Sequence, residues 1–372
     1  MKTTISSDLL RKALRTVAKA APARPAADIL GCFRLSQADG TLTVEATDGS
    51  TLMRTSVMTR EGCTDGSACV PVRFLTPLSQ TLLKGDVALE TSDSSVRVTW
   101  TEGESELPAF TVGDFPDVAE PDGGESVEIP SGTLLAFLSK TIEGTEDSPL
   151  RPAFAGVYFD TASPEGFSMV SSDTRSLTLV TAPGTMSGIP PFILHRSHAA
   201  VLKGVADKSA SPVTICSDGA KVRFTVEGLT MVFPTVVHKY PNYASIIPSD
   251  NTGVLVIDRA ALLDTLIRTG TCADRDADRV VMRITSGRVT LEATDFTNRL
   301  SARESVPARW SGEDLDISFR MSNLIKLVEG FESPQLEIRL KDRTRPALVL
   351  PHYGEEGRKP ANRMTGMIAA IR

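Results

Sequence analysis

Gly287-Arg-Val-Thr-Leu-Glu-Ala-Thr-Asp295 follows the same design as Gly40-Thr-Leu-Thr-Val-Glu-Ala-Thr-Asp48: a glycine, alternating apolar and polar residues, then Thr-Asp. Gly166-Phe-Ser-Met-Val-Ser-Ser-Asp173 is a third version of the pattern. Alternation with a period of two reads as a half-buried strand. The glycine opens it from a turn, and the short acidic side chain caps the turn that follows. The three stretches lie roughly 124 residues apart, so internal repetition organises the chain.

Two further triplets keep that period. Asp8-Leu-Leu-Arg-Lys-Ala-Leu14, Thr133-Leu-Leu-Ala-Phe-Leu138 and Ala261-Leu-Leu-Asp-Thr-Leu266 place leucines four apart, which is one face of a helix. Val70-Pro-Val-Arg-Phe-Leu-Thr-Pro-Leu78, Ile193-Leu-His-Arg-Ser-His-Ala-Ala-Val-Leu202 and Ile317-Ser-Phe-Arg-Met-Ser-Asn-Leu-Ile-Lys-Leu327 each join a strand to a second helix. Gly31 pairs with Gly156, and Phe115-Pro116 with Tyr240-Pro241, at the same spacing. A period this long means repeated whole domains rather than a solenoid. The expected domains are 1–124, 125–252 and 253–372, with polar, turn-rich joints near Asp122-Gly-Gly-Glu125 and Pro248-Ser-Asp-Asn-Thr-Gly253. Short alternating strands with helices between them give an α+β class, with mostly antiparallel sheets and the helices on one face.

The composition agrees with an ordinary globular protein. The chain has 372 residues, 41% hydrophobic and 23% charged. Lys plus Arg is 40 against 46 Asp plus Glu, net −6, which excludes a generally basic nucleic-acid coat but not a local cationic face. Aromatic residues are only 5%, too few for an array of base-stacking rings. No apolar segment follows Met-Lys-Thr-Thr-Ile, and no run is long enough to cross a membrane, so a cytoplasmic location is expected. The five cysteines show no CxxC spacing, which argues against a disulfide framework or a zinc site.

Charge is distributed unevenly. Helical segments taken as 6–21, 72–85, 131–146, 195–208, 258–269 and 320–332 carry about +6, and the remainder about −12. Their leucine faces are buried, so the basic residues point away from the core. A shared helical side would then be positive inside an acidic shell, the footprint of phosphate-backbone binding without sequence reading.

No phosphate loop, zincin, hydrolase elbow or dinucleotide fingerprint occurs. His195 and His198 lack a third metal ligand nearby. Asp274-Arg-Asp-Ala-Asp278 begins like a calcium loop, but Arg279 and Thr285 stand where glycine and glutamate are required. No metal, no cofactor and no catalytic residue are therefore expected. Asp48, Asp173 and Asp295 remain open as carboxylates of an enzyme, although turn capping accounts for all three.

Arg24-Pro25 with Ile29-Leu-Gly31, Asp114-Phe-Pro116, Ser172-Asp173 with Leu177, and Tyr240-Pro-Asn-Tyr243 with Pro248 resemble the bacterial DNA sliding clamps, the beta subunit of DNA polymerase III. The resemblance spans the whole chain. It implies three similar domains per chain, helices on the inner face, and a closed ring of two chains joined head to tail. Geometry favours two chains: a unit of this size is roughly 35 Å across, so three in contact leave a hole of about 5 Å and six leave about 35 Å. A duplex needs roughly 20 Å plus water. Such a ring is a processivity factor without catalysis of its own. It slides on double-stranded DNA of any sequence and tethers the replicative polymerase alpha subunit, clamp-loader subunits and repair polymerases through short peptide motifs.

By resemblance Arg24 faces DNA. Lys12, Arg73, Lys140, Arg196 and Lys203 are added as lining candidates, with Arg11, Arg15 and Lys326 as secondary ones. The partner-peptide cleft maps to Phe154, Ser172, Thr174, Arg175, Leu177, Pro241, Ile246, Arg320, Asn323, Thr344, Pro346, Ile371 and Arg372. Leu177, Pro241 and Ile246 are apolar seats in that mapping, and Arg175 meets a carbonyl or an acidic residue. The chain-to-chain contact maps to Leu107, Cys272 and Ala273, with Ser105 beside them.

The chain departs from the family pattern in several places. It ends Met367-Ile-Ala-Ala-Ile-Arg372 without the usual proline and final leucine. Thr174-Arg-Ser176 replaces Gly-His-Arg, and Arg320 and Asn323 replace Asn and Tyr. The alternative reading is a three-domain interaction protein that does not close a ring.

Overall fold

The computed structural model describes every residue except 123, 124, 147, 185, 187, 208, 355, 356, 358, 359 and 372. Two compact units emerge: Met1–Ser131 with Lys208–Thr235, and Gly132–Asp207 with Val236–Arg372. They do not coincide with the three sequence repeats, because the middle repeat contributes strands to both. The joint expected around 122–125 includes Gly123 and Gly124, which lie outside the described residues.

Strand pairing explains the division. In the first unit an eight-stranded sheet forms where Leu52–Met58 pairs with Leu229–Pro234, and a four-stranded sheet runs Lys2–Ser6, Asp86–Thr91, Ser95–Trp100, Gly103–Pro108. In the second unit a twelve-stranded sheet is continuous because Ser176–Ala182 pairs with Arg363–Ile368. Each of these joins couples strands more than 170 residues apart in the chain, roughly one and a half repeat periods. The strand pairings given for the described residues are antiparallel, so the α+β expectation holds.

The six expected helices are α1 (Ser7–Val17), α2 (Val72–Thr81), α3 (Ser131–Thr141), α4 (Arg196–Ala206), α5 (Arg259–Gly270) and α6 (Met321–Glu329). All but α5 are shorter than the sequence suggested, as where α1 ends in a tightened turn and α2 gives way to extended chain. α1 buries Leu10, Ala13, Leu14 and Val17 and leaves Lys12 and Arg15 exposed, so the leucine stripe faces the sheet as expected. Full burial of Leu10, Leu14 and Val17 contributes about 1.5–3 kcal/mol each. α1 packs against α2, and α5 against α6.

α2 has a specific weakness and a specific remedy. Pro77 removes one intrahelical hydrogen bond, and the helix ends after ten residues. Its orphaned carbonyls are taken by Arg11 of α1, whose Nε donates to the Ser79 oxygen at 3.0 Å and Nη2 to the Leu82 oxygen at 2.6 Å. A guanidinium at a helix C-terminus complements the dipole as well. Arg11 is thus a helix-capping residue, which corrects its assignment as a secondary DNA candidate.

The recurrent aspartates close turns. Asp48 Oδ1 accepts the amides of Ser50 and Thr51, while the Thr47 hydroxyl accepts from Gly49 and donates to the Thr51 carbonyl. Ser172-Asp173 repeats every bond with Thr174, Arg175 and Ser176. Ser217-Asp218 repeats them again with Gly219, Ala220 and Lys221. Asp295 departs: it caps Asn298, three residues on. In the three matching turns the residue after aspartate is left-handed, with φ of 95° at Gly49, 90° at Gly219 and 72° at Thr174. Glycine takes this conformation freely, whereas β-branched threonine is strained there.

The end of the first repeat is pinned by charge. Glu120 accepts from Arg54 Nη2 and Arg223 Nη1, both at 2.7 Å, and Asp117 accepts from Arg34 at 2.8 Å. The two Glu120 bonds straddle the join between Leu52–Met58 and Leu229–Pro234. The hydrogen bond from Arg223, opposed by partial burial and aided by Arg54, holds the Glu120 carboxyl below its ordinary range.

Three outcomes follow. Arg11→Met lowers the unfolding free energy by about 2 kcal/mol in urea titration, the scale of charge-assisted bonds left unmade; an unchanged midpoint contradicts the capping role. Thr174→Gly raises stability by about 1 kcal/mol by relieving the left-handed strain, and a loss of stability would show that the threonine hydroxyl outweighs it. Because the Glu120 pKa is depressed by folding, its contribution is present above the ordinary carboxylate pKa and disappears as pH falls through the depressed value. Glu120→Gln therefore flattens the acid limb of the stability curve below about pH 4.5, measured by unfolding at a series of pH values.

Candidate functional site

The cationic candidates divide between the two units. In the first, Lys12 is exposed on α1 and Arg24 is exposed in the loop after it. That loop borders a cavity of about 270 Å³ lined by Pro22, Pro25, Pro71, Arg73 and Phe110, so its proline-rich chain lies against the start of α2. Arg73 is exposed and lies over the Phe74 ring, 4.7 Å from its centre. Three cations of the first unit are thus carried by adjoining elements, α1, its following loop and α2.

In the second unit Arg196 opens α4 and Lys203 lies in its last turn, both half-buried. Lys140 is different. Its Nζ lies 3.2 Å from Glu332 and its side chain is only 19% exposed, so its charge is already matched within the protein. Lys140 is thus less accessible than the exposed Lys12, Arg24 and Arg73. No local pattern relates the pair, because Glu332 is nearly 200 residues away.

The cleft candidates gather at one end of the twelve-stranded sheet. Its register sets Ser176, Ile368 and Ala347 abreast, so the next row is Arg175, Ala369 and Pro346. The chain end is stitched down there: the Ala369 amide donates to the Arg175 carbonyl at 2.7 Å and the Ile371 amide to the Ser318 carbonyl at 2.8 Å. Arg372 lies outside the described residues. Asn251 donates to the Pro346 carbonyl, and Thr344 closes a turn on Asp342.

The apolar half of this site is built on Val170, Leu177, Ile193, Tyr240 and Met367, with Phe154, Tyr158 and Ile247 packed against them. Tyr240 stacks on Tyr158 at 4.6 Å and meets Phe154 edge-on at 5.9 Å. Burial pushes the Tyr240 hydroxyl well above its ordinary pKa, and that hydroxyl has no hydrogen-bond partner among the described residues. Leu177 is 1% exposed and serves as floor, which corrects its assignment as an open seat. Pro241 and Ile246 are exposed. Leu150 and Val237, at 90% and 82% exposure, add accessible apolar surface beside Arg151 and Val236, and sequence reasoning missed both. Their signal is exposure of a large apolar side chain, which only coordinates reveal.

The polar half is a cavity of about 420 Å³ lined by Thr145, Glu146, Arg151, Asp173, Thr174, Arg175, Arg320 and Asn323. Four of the expected residues meet here: Thr174, Arg175, Arg320 and Asn323. Asn323 is buried, and its amide donates to Asp173 and to Ser176 Oγ, so it ties α6 to the capped turn. The Ser172 hydroxyl is consumed by that turn. Arg151 donates to Thr174 Oγ1 at 3.1 Å and lies 3.4 Å from Glu146, while Arg320 lies 3.5 Å from Asp278. Arg151 and Glu146 were not foreseen, since nothing local in the sequence relates them to 320–323.

The contact candidates are only partly as expected. Leu107 is 9% exposed and lies opposite Val96 in its own sheet. Cys272 and Ala273 are half-buried and close the end of α5 through bonds to Thr269 and Gly270. Among the strand edges without ladder pairing are the outer edge of Gly103–Pro108 and the outer edge of the first part of Leu300–Trp310, which pairs with Arg288–Asp295 on its other side. Exposed Ile267 on α5 and Leu300 flank the second edge, and Arg268 pairs with Glu304 there.

Comparison with known proteins bears on this geometry. Residues 1–119 match the family described as DNA polymerase III beta subunit, N-terminal domain, and residues 244–359 match its C-terminal domain. The beta sliding clamp of Caulobacter vibrioides is 26% identical, over 94% of this chain and 96% of that protein. That of Synechococcus elongatus is 24% identical over 94% and 96%. The solved sliding clamp of Caulobacter crescentus superposes with a TM-score of 0.91 at 24% identity over the whole of both chains. The DNA polymerase III beta subunit of Pseudomonas aeruginosa superposes with a TM-score of 0.92 at 20% identity, again over the whole of both. Matches at both ends, with the repeated α+β architecture between them, place this chain in the DNA polymerase III beta subunit family, the bacterial sliding clamps.

Proposed function

We propose that the chain is a non-catalytic processivity factor: two copies join head to tail into a ring that encircles duplex DNA, slides on it, and tethers the replicative polymerase and other clamp-binding proteins. The observation that carries this reading is family membership at both ends of the chain, 1–119 and 244–359. Three domains, 1–124, 125–252 and 253–372, and a cytoplasmic location belong to the same proposal.

Physical features support it. Gly103–Pro108 near the front of the chain and Leu300–Trp310 near its back each offer a row of unpaired backbone groups. An open edge invites another strand. One edge from each end suits a heterologous contact, and such a contact closes when the rotation allows. Glu104 and Glu106 are exposed on the first edge, and Arg303 on the second, so the charges are complementary. Exposed Lys12, Arg24 and Arg73 supply weak, screened attraction to phosphates, and weak attraction lets every register on DNA be nearly equivalent.

A ring held by topology needs no tight grip. Partner peptides, including those of polymerases and the clamp loader, would lie over the apolar floor formed by Leu177, Tyr240 and Met367 and end in the polar cavity. The burial of Leu107 favours one second reading, an interaction protein that does not close a ring.

Two measurements decide between them. Loaded onto nicked circular DNA with a clamp loader, the protein stays bound through gel filtration and is lost once the circle is cut. Equal loss from circular and linear DNA overturns topological binding. Sedimentation at micromolar concentration gives a dimer under the first reading and only monomer under the second.

A further inference from the structure

We infer that the proline-walled cavity between the loop after α1 and the start of α2 holds one unpaired guanine of a DNA strand, with Asp28 on the base edge and Arg73 on an adjoining phosphate; the inference rests on the DNA-binding reading above and specifies a DNA structure that the first unit favours. The cavity has a volume of about 270 Å³, at the small end of ligand pockets, which suits a single nucleotide unit. All of its lining residues belong to the first unit.

Its walls are apolar and stiff. Pro22, Pro25 and Pro71 have fixed φ, and Val72 and Phe110 complete the surface. A Cβ on Gly31 would lie 3.1 Å from Pro25 Cγ, so glycine there lets the loop fold back closely. A slot formed in advance costs little ordering when a ligand enters. Flat apolar walls with one aromatic ring suit the face of a base out of its stack.

The polar groups then select among flat ligands. Asp28 and Arg73 are the two charged residues of the lining, and both are exposed. Neither side chain has an ion pair or a hydrogen bond among the described residues. Both act on buried Cys32: burial chiefly raises that thiol to about 11, Asp28 raises it further, and Arg73 opposes. The two charges therefore converge on one side of the slot. A carboxylate only accepts hydrogen bonds. Guanine offers N1–H and the N2 amino group side by side, a bidentate match. Adenine and cytosine present one amine beside a ring acceptor, and thymine presents one N–H between two carbonyls.

Arg73 has one face on the Phe74 ring, which leaves its N–H edge for a phosphate. Arg24 is exposed at the rim, between the lining residues Ala23 and Pro25. Two guanidinium groups against one carboxylate suit a base with a phosphate on either side, which a strand supplies and a free mononucleotide does not. A paired base hides the edge that Asp28 would read, so the ligand is an unpaired guanine, in a gap, an overhang or an extruded position.

The test uses the full chain and fluorescein-labelled thymidine nonamers whose central base is guanine, hypoxanthine, adenine, cytosine or thymine, with binding read by fluorescence polarisation. The guanine nonamer binds about fivefold more tightly than the all-thymine one. Hypoxanthine, which keeps N1–H and lacks the amino group, falls between them. Asp28→Ala brings the guanine-to-thymine ratio to near one without weakening the all-thymine nonamer, and Asp28→Glu keeps part of the preference. Arg73→Gln weakens every nonamer and lowers the slope of log affinity against log salt by roughly 0.7.

Equal binding of all five nonamers overturns the inference, as does a guanine preference that persists in Asp28→Ala. Free dGMP that competes as strongly as the guanine nonamer overturns a DNA strand as the source. Equal loss from nicked circular and linear DNA, measured separately, overturns the reading of the chain as a DNA ring rather than the base preference. Thermal unfolding of each variant checks that it is folded, and Asp28→Ser repeats the measurement if Asp28→Ala is not.

Discussion

Antiparallel pairing between strands from different repeats is the constraint on which the rest depends. Leu52–Met58 with Leu229–Pro234, and Ser176–Ala182 with Arg363–Ile368, convert separate small sheets into sheets of eight and twelve strands. An edge strand left alone presents unpaired amides and carbonyls, so each join removes two liabilities at once. The second join also makes the cleft, because it sets the chain end beside the Asp173 turn and brings Arg175 next to Ala369. Among the edges that remain open are those of Gly103–Pro108 and Leu300–Trp310.

Polar groups are concentrated where these joins need holding. Glu120 between Arg54 and Arg223 spans one, and Asn323 bonded to Asp173 and Ser176 anchors α6 to the other. Arg11 closes the end of α2, which Pro77 shortens. Each of these side chains looked available for a partner when judged by charge alone. Burial and hydrogen bonding commit them to the fold, and the cations left over are the ones that can act on something else. The same subtraction singles out Arg73 beside the proline-walled cavity.

The turn at Asp173 shows how a small local motif is put to use. Its bonding is copied at Asp48 and at Asp218, where glycine occupies the left-handed position. Only at the cleft does threonine take that place, and its hydroxyl there accepts from Arg151. Strained positions accumulate at functional sites when the surrounding bonds hold them. Here the strain orients one of the three guanidinium groups around the cavity.

What was legible in the sequence is what depends on near neighbours. Period-two alternation, leucines four apart, and Asp followed by its turn are local, so the strands, helices and capped turns stand as expected. The family could be named because its motifs are strings in the chain. Lys140 with Glu332, Arg11 with Ser79, the burial of Leu107, and Glu146 with Arg151 around Arg320 belong to the other category. Those facts depend on which distant strand lies alongside and which face of it is covered. Side-chain alternation fixes a periodicity but not a neighbour. Only closure of the tertiary sheets decided which charges were already matched and which apolar residues formed a floor rather than a surface.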